Sequence, residues 1–283
     1  MLSVDVVVTT YNSEKTIRRT LDSILHNDYL KFRIIISDDA SSDDTVSILN
    51  EYLEQYGNIQ VLTSEVNLGI LMNCNKVIAE SYQSDVVMFC GHDDVFYKQK
   101  ISRCVDAFLK DEKVSLVYHD VDVVYADGKR IKYSQTQVPR ESGAKDYLLY
   151  GVFSTAPSVC VKSSILCDVK FKSEVDRASD YIMMYEVAKR GKIKYISEVL
   201  GEYHRHDSNL SSQIKSSDDF DSIIASIYVM KNYPEDTFAA LIALNRSMIK
   251  LLLKRKKYLA FYYISPLYTT FWHLLSKLGK KII

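Results

Sequence analysis

Along the first 94 positions, apolar residues switch between a strand-like run and a helix-like period. Residues 4–9 form a β-branched run that ends in polar Thr9-Thr10-Tyr11-Asn12, which predicts a buried strand and a turn. Ser13 and Glu14 then open a segment with Ile17, Leu21, Ile24 and Leu25 at helical spacing. Residues 34–37 predict a second strand, stopped by the acidic, serine-rich stretch 38–44. Either Asp43 or Asp44 is placed to cap the next helix, whose expected apolar face is Val46, Leu49 and Leu53. A third strand at 59–62, a helix at 71–81 and a fourth strand at 85–90 complete the series. Strands separated by single helices pair in parallel through right-handed crossovers, so an α/β sheet covered on both faces is expected.

Beyond Asp94 the pattern changes. Residues 115–125 and 130–133 flank Ala126-Asp127-Gly128-Lys129, a hairpin signal. A short helix is expected at 145–150, a strand at 158–162, and a helix at 181–190 closed by Gly191. Residues 211–221 are polar and read as a linker; the chain after it is helical and then strongly aromatic. The expected division is a domain over 1–212, with halves 1–94 and 95–212, followed by a helical region over 213–283.

Charge sharpens that division. The 283 residues carry 36 Lys+Arg and 36 Asp+Glu, a net charge of zero, and such a balance speaks against a nucleic-acid binder. Residues 237–283, however, hold nine basic and no acidic residues, which leaves 27 basic against 36 acidic in residues 1–236. Residues 258–276 form a run of 19 without a charged side chain, flanked by lysines. Its tyrosines, Trp272 and mid-run Pro266 suit docking at a membrane interface, with an anionic surface facing residues 237–283. A packing or dimerising hairpin, giving a homo-oligomer, and a true span remain the other readings. The five cysteines contain no C-x-x-C pair and are expected as buried, reduced thiols. The N-terminus shows no basic region followed by a long apolar core, so a cytoplasmic location, peripheral at the inner face of the cell membrane, is expected.

The candidate chemistry lies at the strand ends. Thr9-Thr10-Tyr11-Asn12, Asp38-Asp39 and His92-Asp93-Asp94 each follow a predicted strand, and ligands of open α/β sheets bind beyond those carboxyl ends. Adjacent Asp93 and Asp94 repel unless a cation neutralises them, and oxygen ligands suit Mg²⁺ or Mn²⁺. A solvated acidic turn is the competing reading. No Gly-rich phosphate cradle is present.

The segments VVVTTYNSEKTIRRTLDSIL, IIISDDASSDDT, NLGILMNCN and VVMFCGHDD, in that order, resemble the successive motifs of family 2 glycosyltransferases, over about three quarters of the chain. The resemblance implies the Rossmann-like GT-A fold of nucleotide-diphospho-sugar transferases, with a helical C-terminal extension. It also implies a nucleotide-sugar donor, usually a UDP-sugar, with Mn²⁺ or Mg²⁺ as cofactor. The expected reaction is inverting transfer of a hexosyl or N-acetylhexosaminyl group to a glycan or lipid-linked glycan. Carried over by residue, Thr9, Tyr11 and Asn12 belong to the nucleoside pocket, and Asp39 accepts a hydrogen bond from the uracil ring. Asn67 and Gly69 shape the base and ribose pocket. Asp94 is the metal ligand, and Asp93 touches ribose or metal-bound water. Asp180 becomes the general base, with Asp176 as rival and helix capping as its bland alternative; Ser179 stands where the family usually has a further acid. His206 is a metal ligand or a donor to the diphosphate, while His204 occupies the place of a common Arg, next to Arg205. His119 and Asp120 either face the acceptor or form a polar hairpin face. A non-catalytic scaffold with the same fold is the rival function. A nucleotidyltransferase would need a Gly-rich N-terminal loop with a basic residue, which VVVTTYN does not supply.

Overall fold

The computed structural model describes residues 1–134, 139, 141–151, 154–205 and 218–254. It divides into two units, Met1–Lys215 and Ser216–Ile283.

The centre of the first unit is β1 (Val4–Thr10), with β2 (Phe32–Asp38), β3 (Ile59–Thr63) and β4 (Val86–Gly91) around it in the order β3-β2-β1-β4, all parallel. Val6, Val8, Ile34, Ile36 and Met88 are fully buried, because helices cover both faces of these strands. Three helices make the crossovers: α1 (Ile17–Leu25), α2 (Thr45–Gln55) and α3 (Ile70–Ala79). α1 buries Ile17, Leu21 and Ile24, the stripe its spacing predicts. α2 differs from expectation: its buried face is Thr45, Ile48, Leu49 and Tyr52, and Leu53 is exposed. The Tyr52 ring lies over α1 and donates its hydroxyl to Asp22, which turns the helix away from the predicted stripe. Asp44 stands at the N-cap without a capping bond, whereas the Asp43 carboxylate accepts the Thr45 N–H and hydroxyl at 3.0 and 2.5 Å.

The chain then adds β5 (Val95–Phe96), α4 (Lys100–Lys110), β6 (Val114–Tyr125), β7 (Arg130–Tyr133), β8 (Glu141–Ser142) and α5 (Ala144–Tyr150). After these come β9 (Val159–Lys162), α6 (Ser163–Leu166), α7 (Ser179–Ala188) and β10 (Lys192–Arg205). The sheet continues β4-β9-β6-β10-β5. β9 runs antiparallel to both β4 and β6, β10 runs parallel to β6, and β6 and β7 form the expected hairpin. α7 ends at Ala188 with Lys189 as its cap, ahead of the expected close at Gly191.

β10 is irregular. Its register against β6 shifts between Ile196 and Val199 and again before Glu202, after which Gly201 pairs with Phe96 of β5. A Cβ at Gly201 would stand 2.6 Å from the Val95 carbonyl oxygen, so only glycine lets the two backbones approach this closely. That approach carries the end of β10 toward the end of β4.

All five cysteines are free; Cys90, Cys104 and Cys160 are buried as expected, Cys74 is half-buried and Cys167 is exposed. In the second unit, helices Asp218–Asn232 and Thr237–Lys254 pack on each other, and small side chains such as Ala225, Ala240 and Ala243 are buried. Residues 218–221, expected within the linker, are the first turn of the first of these helices. No helix among the described residues is long and apolar enough to cross a membrane; residues 258–276 lie outside the described residues.

Candidate active site

The parallel register places the ends of three strands side by side. Thr10 pairs with Asp38, and Thr9 with Gly91, so all three polar clusters meet on one edge of the sheet. Two non-glycine residues there, Asn12 (φ 48°) and Ala40 (φ 62°), hold left-handed backbone, a cost of the kind that gathers at functional sites. Cross-braces keep the two turns together. Asn12 donates its N–H to Ser41 Oγ (2.8 Å) and accepts the Ser42 N–H on its amide oxygen (2.9 Å). The Asn12 side chain therefore shapes the edge by holding the neighbouring turn. Tyr11 is 46% exposed and offers its ring to an incoming ligand.

Asp39 is buried, and its two oxygens accept the N–H groups of Leu68 and Gly69 at 2.8 and 2.9 Å. The Asn67 side chain adds a third bond to the Gly69 N–H, at 3.1 Å. Gly69, at φ 82°, adopts a conformation that side chains disfavour and caps α3. Asp39, Asn67 and Gly69 thus form one clamp beside this sheet edge.

Asp93 and Asp94 are 6% and 2% exposed. A Cβ on Gly91 would lie 2.9 Å from an Asp94 oxygen and 3.0 Å from an Asp93 oxygen, so both carboxylates converge on the space that Gly91 leaves open. α1 fixes their turn: Arg19 donates to the Asp93 carbonyl at 2.7 Å, and the Thr20 hydroxyl lies 2.9 and 2.8 Å from the carbonyls of His92 and Asp94. Asp94 accepts the Gly91 N–H and, from the far end of the chain, the His204 N–H at 3.1 Å. Burial, and next the Asp93 charge, push the Asp94 carboxyl well above the usual carboxylate range. Such a pair is poised to take up a positive charge.

Behind it, Lys100 is wholly buried, its ammonium 3.1 Å from the centre of the Phe96 ring and bonded to the Pro157 carbonyl. Burial holds its pKa below the ordinary lysine value.

Asp180 is exposed in the first turn of α7 and accepts the Tyr181 N–H at 2.6 Å. Asp180 directly follows Ser179, whose hydroxyl is bonded to the Lys172 N–H, and the neighbouring Phe171 is bonded to Asn75 of α3.

The model of glycosyl transferase family 2 matches residues 5–164, more than half of the chain. The chain belongs to that family. Among curated proteins it is similar to the poly(ribitol-phosphate) beta-N-acetylglucosaminyltransferase TarS of Staphylococcus aureus, 26% identical over 243 residues, 81% of this chain. The chain spans 40% of that relative's length. Among solved structures, S. aureus TarS 1–349 in complex with UDP-GlcNAc superposes with a TM-score of 0.71 at 18% identity, covering 88% of this chain and 73% of that one. A mannosyltransferase from Pyrobaculum calidifontis in complex with GDP-Man and Mn²⁺ gives a TM-score of 0.60 at 16% identity, covering 95% and 83%. The fold of this family 2 chain is accordingly GT-A.

Several sequence expectations meet the structure unevenly. Thr9, Tyr11, Asn12, Asp39, Asn67, Gly69, Asp93 and Asp94 are brought to one edge, and Asp180 begins α7, next to the segment bonded to α3. His206 and the side chain of Asp176 lie outside the described residues. His119 and Asp120 do not face an open acceptor space: both are buried, and Asp120 is taken up by Tyr195, Ser134 and Lys132. The His204 ring is bonded to Glu202 at 2.7 Å, and Glu202 also receives Arg130 at 2.6 Å. Among the described residues no three His, Cys, Asp or Glu side chains form a ready metal cage. Asp93 and Asp94 nevertheless fit a hard divalent cation, which typically takes one or two carboxylates and completes its shell with water and substrate phosphates. Sequence reasoning missed Lys100, Arg19 and two asparagines of α3, Asn73 and Asn75. Polar residues between the apolar positions of a buried helix were the available signal.

Proposed function

We propose that this family 2 chain transfers a sugar from a UDP-linked donor to a hydroxyl of a glycan or glycolipid acceptor, with inversion. The observation that carries the reading is the meeting of Tyr11, the Asp39 clamp and the Asp93-Asp94 pair at one sheet edge. Tyr11 supplies a ring face for the base, and Asp39 retains lone pairs for a ring N–H while it holds the pocket wall. The UDP-GlcNAc bound in the similar TarS structure supports a uridine donor. Asp94, with Asp93, would hold Mn²⁺ or Mg²⁺, which stabilises negative charge on a departing diphosphate. Asp180 takes the proton of the acceptor hydroxyl as its oxygen bonds to the anomeric carbon and the bond to the diphosphate breaks. Residues 237–283, with nine basic and no acidic side chains, face an anionic membrane surface and bring the site to a membrane-borne acceptor.

The test is a panel of nucleotide sugars offered to the purified protein with Mn²⁺, Mg²⁺ or EDTA. Metal-dependent release of UDP from a UDP-sugar is expected, with a melting temperature raised by UDP plus Mn²⁺ but little by UDP in EDTA. Turnover at full rate in EDTA, or in Asp94→Asn, would overturn the metal assignment. Release of no nucleoside diphosphate from any donor, acceptor glycans present, would overturn the enzyme reading.

A further inference from the structure

We infer that Asn75 is a positioning residue that sets the distance between the Asp180 carboxylate and the donor pocket. The inference rests on the reading of Asp180 as base.

α3 belongs rigidly to the donor side. Its N-terminus is held by the Asp39 carboxylate on the N–H groups of Leu68 and Gly69, and its middle by Asn73, whose amide donates to the Ser37 carbonyl of β2 at 3.0 Å. Two residues on, the Asn75 amide reaches across 96 positions of sequence to the backbone of a single residue. It donates to the Phe171 carbonyl at 2.8 Å and accepts the Phe171 N–H at 2.9 Å. A carboxylate could only accept here, and a hydroxyl is too small to satisfy both groups; a primary amide carries the donor and the acceptor in one plane.

From Phe171 the connection to Asp180 is short. The Lys172 N–H is bonded to the Ser179 hydroxyl, so the intervening helical turn Ser173–Ala178 is closed at its base. The Lys172 ammonium also pairs with Glu186 of α7 at 3.3 Å. Residues 171 and 172 are thus held to α3 on one side and to α7 on the other, and Asp180 directly follows Ser179. Ser179 is buried and occupies the place where the family usually has a further acid; here its hydroxyl joins the base-bearing helix to the segment that Asn75 grips. Misplacing a reacting group by an ångström costs about a hundredfold in rate.

The experiment compares wild type with Asn75→Ala, Ser179→Ala, Asp180→Asn and the Asn75→Ala/Asp180→Asn double variant. It uses the nucleotide sugar turned over fastest in the panel, and UDP with Mn²⁺ as the binding probe. For Asn75→Ala we expect kcat to fall at least tenfold, UDP affinity to stay within twofold, and amide exchange at Phe171 to quicken. The double variant should be no slower than Asp180→Asn alone, because both changes act on one group. Ser179→Ala breaks the same connection from the other end, should show the same split, and carries the test if Asn75→Ala does not fold. Multiplying rate losses in the double variant, or UDP affinity falling in step with kcat, would overturn the inference. An inactive Asp180→Asn beside a wild-type rate in Asn75→Ala removes Asn75 alone; a wild-type rate in Asp180→Asn removes the base and with it this role.

Discussion

Residues 1–94 and 95–205 build one sheet by opposite means. The first half repeats strand, helix, strand, with unbroken parallel registers, and its functional groups fall at successive strand ends. The second half inserts β9 antiparallel between β4 and β6 and bends β10 through repeated register shifts. Its contributions to the site come from far along the chain: the His204 N–H on Asp94 spans 110 positions, and Asn75 to Phe171 spans 96. The proposed donor pocket is therefore assembled from neighbouring motifs, whereas the proposed base and the brace on Asp94 depend on long-range pairing. Variants of the Asp39 clamp should change donor affinity, whereas variants of Asp180 or of the contacts that place it should change turnover.

The largest effect is expected at Asp180→Asn. General-base loss should lower kcat by about 10²- to 10⁴-fold while UDP affinity, measured calorimetrically, stays within twofold. A parallel loss of UDP affinity would break the division of labour between the halves. Asp39→Ala tests the other side. Removing a carboxylate that holds two backbone N–H groups frees the 67–69 loop, and UDP affinity should fall about 10- to 100-fold, with kcat at saturating donor nearly unchanged.

Gly201→Ala should destabilise the fold by about 1–3 kcal/mol in denaturant titrations, since a methyl group would meet the Val95 carbonyl. It should also weaken Mn²⁺-dependent UDP binding, because the end of β10 delivers the His204 N–H to Asp94.

The smallest effect is a pH dependence carried by His119. Burial, aided by Lys100, lowers this imidazole to about 3; its Nδ1 is bonded to the Asp120 carbonyl, and its Nε2 has no partner among the described residues. The unfolded chain takes up the proton near pH 6.5 while the folded chain stays neutral, so the group favours folding above pH 6.5 and loses that contribution as pH falls from there toward 3. Between pH 7.5 and 5.5 this amounts to about 1.4 kcal/mol, and His119→Leu should remove that part of the slope.

The pattern of legibility follows the same boundary. The runs at 4–9, 34–37 and 85–90 appear as β1, β2 and β4 because a strand buried on both faces is largely apolar, and their polar ends stand out by contrast; the run at 59–62 appears as the half-buried edge strand β3. α2 buries Leu49 of the expected face, but Tyr52, bonded to Asp22 of α1, takes the buried place that a count of aliphatic positions gives to Leu53. β10 shows no clear period: a strand interrupted by register shifts loses the alternation that marks a strand. Asp39 was legible as a polar residue at a strand end, but its grip on Leu68 and Gly69 was not, because hydrogen bonds to backbone leave no trace in side-chain pattern.

The sequence by itself determined the alternating α/β half, the convergence of Thr9, Asp39 and Asp94 at one edge, the free cysteines and the basic C-terminal region. These follow from local periodicity and from the chirality of crossovers, which act over about 30 residues at a time. Only the tertiary structure decided that β9 reverses direction within the sheet, that Gly201 lets β10 close on β5, that His204 supports Asp94, and that Asn75 reaches Phe171. Each of these joins groups on distant segments, and such pairings are selected by the packing of the whole domain.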